Sequence, residues 1–125
     1  MQKEKILIVE DELILAMELE MRLQSKNFCN IKIVTKGEQA VKSAKSFQPD
    51  VILMDIMLSG VINGIEAATQ ILAHKKIPII YITGNDHLKE DTKLLATNPI
   101  AVLGKPLSDW KLFESIDKAL KKYYE

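Results

Sequence analysis

Five short apolar runs recur along the chain at Ile6–Val9, Ile31–Val34, Val51–Met54, Ile79–Ile82 and Ile100–Leu103. Ile, Val and Leu dominate them, and four of the five carry no charge. Runs this short, bounded by polar residues, read as strands covered on both faces, the condition of a parallel sheet. Lys32 interrupts the second run, which marks it as the more exposed strand. Segments of helical spacing lie between them. The first spans about Glu12–Ser25, with Leu15, Leu19 and Leu23 four apart and Ile14 beside them. The second follows Gly37 to about Phe47, with Ala40, Val41 and Ala44 on one side, and Pro49 stops it. The third follows Gly64 and carries Ile65, Ala68, Ile71 and Leu72, and Pro78 bounds the next strand. The fourth covers about Asp86–Ala96 and has thin apolar content. The fifth opens on Ser108, a good N-cap, and buries Leu112, Phe113, Ile116, Ala119 and Leu120. Strand and helix thus alternate five times. This predicts a doubly wound α/β domain, a five-stranded parallel sheet with five helices and right-handed crossovers.

The 125 residues suit one domain, 1–125, with a substantial core and no separate effector domain within it. Lys+Arg and Asp+Glu are both 17, which argues against broad nonspecific binding to nucleic acid or anionic membrane. No apolar stretch approaches a membrane span or a signal-peptide core. The single Cys29 has no intramolecular disulfide partner and reads as a half-buried thiol; a reducing cytoplasm is the expected home. His74 and His87 share no ligand spacing with it, so no zinc site is expected.

In open α/β sheets ligands bind beyond the carboxyl ends of the strands. Glu10 and Asp11 follow the first run, Asp55 ends the third, Thr83 follows the fourth and Lys105 follows the fifth. Each alone reads more readily as a cap or a solvated loop residue. Together they put three carboxylates, a hydroxyl and an ammonium on one edge. Clustered carboxylates repel unless a cation neutralises them, and Mg²⁺ suits them because it takes hard oxygen ligands and leaves room for phosphate. Lysine and threonine can hold phosphoryl oxygens, and a carboxylate can be the nucleophile that forms an aspartyl phosphate. The set fits phosphoryl transfer to Asp55.

With these residues in view, the chain resembles the receiver domains of two-component response regulators. The resemblance rests on Ile6-Leu7-Ile8-Val9-Glu10-Asp11-Glu12, Val51-Ile52-Leu53-Met54-Asp55-Ile56, Ile82-Thr83-Gly84 and Lys105-Pro106. It implies a flavodoxin-like strand order 2-1-3-4-5, Mg²⁺ on Glu10, Asp11, Asp55 and the Met57 backbone carbonyl, and Asp55 as phosphoacceptor. Thr83 and Lys105 would bind the phosphoryl group, delivered by a histidine kinase or phosphotransfer protein. Such a domain catalyses only its own modification. Several positions depart from the family pattern. Ser59 stands where Pro is common, and the loop from Asp55 to Gly64 is one residue longer, like a branch of the family with a Gly at the position of Gly60. Asn63 replaces the Asp usual in that branch, and Gly84 replaces a small Ala. Val102 stands where the family's switch aromatic usually sits, which mutes that readout.

The first helix holds more apolar residues than one face needs. Leu13, Met17 and Met21 form a second stripe at i, i+4, i+8, read as a docking surface for the phosphoryl donor, with a more deeply buried helix as the competing reading. Lys118, Lys121, Lys122 and two tyrosines close the last helix as a solvated basic face. Trp110 either packs on the domain or faces a partner. Two other functional classes stay in view. One is a pseudo-receiver that acts by protein contact without phosphorylation. The other is a small flavodoxin-like enzyme or nucleotide binder, disfavoured because Glu10-Asp11-Glu12 stands where a glycine-rich phosphate loop would be.

Overall fold

The computed structural model describes residues 2–124, with the side chains of Gln2, Asp86 and 122–124 left aside. The five apolar runs become strands β1 (Gln2–Val9), β2 (Phe28–Val34), β3 (Val51–Asp55), β4 (Ile79–Thr83) and β5 (Ala101–Gly104). All pairs are parallel, in the order β2-β1-β3-β4-β5. The helices are α1 (Leu13–Ser25), α2 (Gly37–Ser46), α3 (Gly64–Leu72), α4 (Thr92–Ala96) and α5 (Asp109–Tyr124).

Two cores sandwich the sheet. Leu7, Val9, Ile52, Met54, Ile79 and Tyr81 meet α2, α3 and α4 on one face. Ile6, Ile8, Leu53, Ile80 and Ile82 meet α1 and α5 on the other. β3 and β4 are buried along their whole length, as their uncharged runs required. Each fully buried Ile or Leu contributes about 1.5–3 kcal/mol of transfer free energy. Edge strand β2 is half exposed, and it begins earlier than its apolar run, at Phe28, whose ring is buried.

Local chemistry ends the helices. Asn27, Gln48 and Asn98 take left-handed backbone just beyond α1, α2 and α4. Pro49 and Pro99 follow two of them, so neither helix can propagate. At α3, Asn63 Oδ1 accepts the Glu66 amide at 2.9 Å, and Glu66 Oε1 accepts the Asn63 amide at 3.0 Å. This capping box is legible as Asn-x-x-Glu ahead of an apolar run. Ser108 caps α5 as expected, accepting the Lys111 amide at 3.3 Å.

Three local expectations are corrected, and the open position of Trp110 is decided. The fourth helix is not continuous: Asp86–Glu90 is a 3-10 turn, and Asp91 then caps a separate α4 through the Lys93 and Leu94 amides. The buried stripe of α1 is Ala16, Leu19 and Leu23, whereas Leu15 and Ile14 are exposed, Ile14 to 82%. Cys29 is exposed rather than half-buried, because it lies on the outer edge of the sheet. Trp110 is 71% exposed and does not pack into the domain. On α5, Lys121 is solvent-facing and Lys118 sits 3.8 Å from Glu114. The side chains of Lys122, Tyr123 and Tyr124 lie outside the described residues.

Candidate functional site

The parallel register brings the strand ends together. Val9 pairs with Met54, Asp55 with Ile82, and Thr83 with Gly104, so Glu10 follows the strand on one side of β3, Thr83 ends the strand on its other side, and Lys105 follows the next strand out. Glu10 is almost fully buried here, at 6% exposure, and Asp55 is buried beside it. Asp11 is half-buried at the rim. Carboxylate oxygens of Glu10, Asp11 and Asp55 all lie within 4.8 Å of one another.

Neighbours hold each group. Asp55 Oδ1 accepts the Met57 amide at 3.1 Å, and Asp11 Oδ2 accepts the Ser59 amide at 3.3 Å. Glu10 Oε1 accepts the Glu12 amide at 3.1 Å. Lys105 Nζ reaches both buried carboxylates, 3.3 Å from Glu10 Oε2 and 3.5 Å from Asp55 Oδ2. Its backbone amide donates to the Thr83 carbonyl at 2.9 Å, which ties β5 to the end of β4. The Lys105–Pro106 peptide is cis. Thr83 is fully buried, and its hydroxyl accepts the Asn85 amide at 3.0 Å, so in this conformation it serves its own loop.

The charge balance is unfavourable: three carboxylates share one ammonium. Burial raises the Glu10 carboxyl from its ordinary 4.5 to about 7, with the neighbouring Asp55 charge adding to the rise against the Glu12 amide and Lys105. Burial works to lower the Lys105 ammonium, but Asp55 and Glu10 together outweigh it and raise it. A site that holds a carboxyl near neutrality is short of positive charge, and a hard divalent cation would supply it.

The β3–α3 loop depends on two glycines. At Gly64 a Cβ would overlap the Asp55 carbonyl oxygen and crowd Ile56 Cα, so α3 can start against the back of Asp55 only without a side chain. The Gly64 amide donates to the Ile56 carbonyl at 3.0 Å and fastens that approach. Gly60 has φ 109°, a backbone region that side-chain-bearing residues avoid. Met57 and Val61 project from this loop into solvent. Arg22 is a second support that sequence reading does not reveal. It donates from α1 to the Leu107 carbonyl and to Asp109, and so closes the connection that carries Lys105. A cleft of about 190 Å³ between α1 and that connection is lined by Leu15, Leu19, Arg22, Lys105 and Pro106. A larger apolar groove of about 310 Å³, lined by Val41, Ala44, Ile71 and Ile77, lies at the opposite edge of the sheet, away from the carboxylates.

A family model for the response regulator receiver domain matches residues 6–117, nearly the whole of this architecture and every residue of the acidic edge. The chain belongs to that family. Receiver domains are signalling modules of two-component systems rather than enzymes with a separate substrate. This receiver domain is 27% identical over 121 residues to the transcriptional regulatory protein PdtaR of Mycobacterium tuberculosis, covering 97% of the chain and 58% of that protein. It is 42% identical over 88 residues to the response regulator ArlR of Staphylococcus saprophyticus, covering 70% of the chain and 37% of that protein. The chain therefore spans about half the length of the curated relatives it matches, or less. Among solved structures it superposes on the signal receiver domain of a modulated diguanylate cyclase from Desulfovibrio desulfuricans G20. There the TM-score is 0.87 and the identity 34%, over 97% of this chain and 96% of the other. The N-terminal domain of a response regulator/sensory box/GGDEF protein from Carboxydothermus hydrogenoformans gives a TM-score of 0.89 and 27% identity, over 97% of both.

Proposed function

We propose that this receiver domain accepts a phosphoryl group on Asp55, from a histidine kinase or a phosphotransfer protein, in a Mg²⁺-dependent reaction. The observation that carries the reading is the buried Asp55 carboxylate, in reach of Lys105 and within 4.8 Å of the Glu10 and Asp11 carboxylates. A carboxylate oxygen of Asp55 attacks phosphorus. The new O–P bond forms as the bond to the donor's imidazole nitrogen, or to the acetate oxygen of acetyl phosphate, breaks and its electrons leave with the donor. The Met57 amide orients Asp55 for this attack. Lys105 offsets charge on the phosphoryl oxygens. Thr83 turns its hydroxyl from the Asn85 amide toward them. Glu10, Asp11, Asp55 and the Met57 carbonyl would hold the metal, which neutralises phosphoryl charge when bound.

The donor reaches this site across α1. Leu13, Met17 and Met21 are all exposed, Met21 to 67%, as the second stripe requires. Ile14 is exposed next to Leu13, and Met57 and Val61 are exposed on the loop whose Ser59 amide donates to Asp11. Flexible methionines adapt to a partner helix. No helix among the described residues is long and apolar enough to cross a membrane. We place the domain in the cytoplasm beside its donor, and assign residues 1–125 to a single receiver domain that acts through protein contacts.

The test is intact mass after incubation with acetyl phosphate and Mg²⁺. A phosphoryl-sized gain that disappears in Asp55→Asn and with a chelator is expected. No gain from acetyl phosphate or from a phosphorylated donor would refute the reading. It would favour the pseudo-receiver, for which the one supporting observation is the aliphatic, half-buried Val102 on β5.

A further inference from the structure

Side chains alternate across β4. Ile79 and Tyr81 face the core that contains Leu94 of α4, while Ile80 and Ile82 face α1 and α5. The same alternation puts Thr83 on the Tyr81 face, directly after Ile82, the register partner of Asp55. Tyr81 is fully buried, and a buried phenol requires a polar partner. Its hydroxyl lies 2.7 Å from Thr97 Oγ1, in the turn that ends α4. The Thr97 hydroxyl itself donates to the Leu94 carbonyl at 2.6 Å. Its one proton is thereby committed, so the phenol is the donor in the first bond. The run from Tyr81 through Thr97 to Leu94 fastens β4 to the C-terminal end of α4. Among the described residues it is the side-chain hydrogen bond that joins these two segments.

The other end of α4 is held differently. The helix spans only Thr92–Ala96, and Leu94 is its one buried residue. A helix this short has no stability of its own. Its N-terminal side leads back through the 3-10 turn to Gly84, where a Cβ would meet nothing within 4 Å. α4 is thus tied to β4 at Thr97, whereas its approach over 84–91 carries local bonds, the Asn85 side chain to the His87 amide and the Asp91 side chain to the Lys93 and Leu94 amides. Across the sheet, Tyr81 pairs with Val102, which offers no polar group for the same task.

We infer that Tyr81 is a positioning residue that makes the Thr97 end of α4 a pivot. The inference rests on the reading of Thr83 as the residue that answers phosphorylation of Asp55. Movement of Thr83 toward the phosphoryl group draws the 84–91 segment with it, while the phenol holds Thr97 in place. α4 then swings about its C-terminal end rather than shifting as a body.

Amide hydrogen exchange with and without acetyl phosphate and Mg²⁺ tests this, with intact mass recording phosphorylation in each sample. In the wild-type chain, phosphorylation should change exchange at His87 and Leu88 and leave Thr97 and Asn98 protected. Tyr81→Phe and Thr97→Val should still be phosphorylated. Their Thr97 and Asn98 amides should exchange about 5- to 10-fold faster, as loss of one buried hydrogen bond implies, and should now respond to phosphorylation. Thr97→Ser keeps the hydroxyl and should behave as wild type. Circular dichroism establishes that each variant is folded, and Thr97→Val removes the same bond should Tyr81→Phe fail to fold. The pivot is overturned if the phosphorylated Phe and Val variants keep the wild-type pattern, or if Thr97 and Asn98 respond as strongly as His87 and Leu88 in the wild type. A wild-type chain that gains no phosphoryl mass overturns the Asp55 reading first and the pivot with it, so the two failures are told apart.

Discussion

Gly64→Ala and Gly84→Ala make a matched pair, because the two glycines lie near the same site in opposite surroundings. At Gly64 the three nearest atoms to a new Cβ are backbone atoms of Asp55 and Ile56, with no flexible side-chain end to yield. α3 must retreat or β3 must bend, and overpacking of this kind costs about 1–3 kcal/mol. Loss of the Gly64 amide bond to the Ile56 carbonyl adds about 1 kcal/mol. Reduced freedom of the unfolded chain returns about 0.4–1 kcal/mol. The net expectation is a destabilisation of about 1–3.6 kcal/mol. With a urea slope of about 2 kcal/mol/M, the midpoint falls by about 0.5–1.8 M. At Gly84 the space is open and φ is not positive, so only the unfolded-state gain remains, and the midpoint should hold or rise slightly. Urea denaturation followed by circular dichroism measures both. A Gly64→Ala midpoint within about 0.3 M of wild type, or an equal fall in both variants, would refute the close-approach argument.

Glu10→Gln tests the crowded carboxylates. In the metal-free chain the Glu10 carboxyl ionises near 4.5 when unfolded and at about 7 when folded. The folded form therefore loses stability as pH rises between those values, up to about 3 kcal/mol in all, and no further above about 7. Urea midpoints in chelator at pH 5 and pH 8 should differ less in Glu10→Gln than in wild type, and unchanged pH dependence would count against the burial argument. Asn63→Ala removes the α3 cap and should cost about 0.5–2 kcal/mol in the same assay, with Asn63→Asp close to wild type. Met17→Glu and Met21→Glu should slow phosphoryl transfer from a kinase or phosphotransfer donor and leave acetyl phosphate labelling intact. If the donor route is equally fast in both, the α1 stripe is not the docking surface.

The legible parts of the chain share a physical cause. Strands buried on both faces need uninterrupted Ile, Val and Leu, and proline stops a helix by backbone geometry alone, so strand number, the alternation of strand and helix, and the stop of α2 at Pro49 could be read from local residues. The acidic edge was legible for a related reason. Each member stands directly after an apolar run, and parallel strands place all their carboxyl ends on one side. Misread segments are those whose outcome depended on distant neighbours. Leu15 has the right spacing for burial, but the volume against β1 is taken by Ala16, Leu19 and Leu23. The residues over 86–96 have helical spacing, yet the Asp91 cap divides them, because its side chain satisfies the amides of a new helix start.

What local sequence determined, then, is the alternating architecture and the identity of the carboxylates, hydroxyl and ammonium along its edge. Tertiary structure alone decided how those groups stand toward one another. Contacts between residues far apart in the chain bring Lys105 to Glu10 and Asp55, and burial holds the Glu10 carboxyl near neutrality. They also press Gly64 against the Asp55 carbonyl and close the Tyr81–Thr97 bond behind Thr83. Burial and through-space charge are properties of the packed chain, and no periodicity of residue types encodes a distance across it.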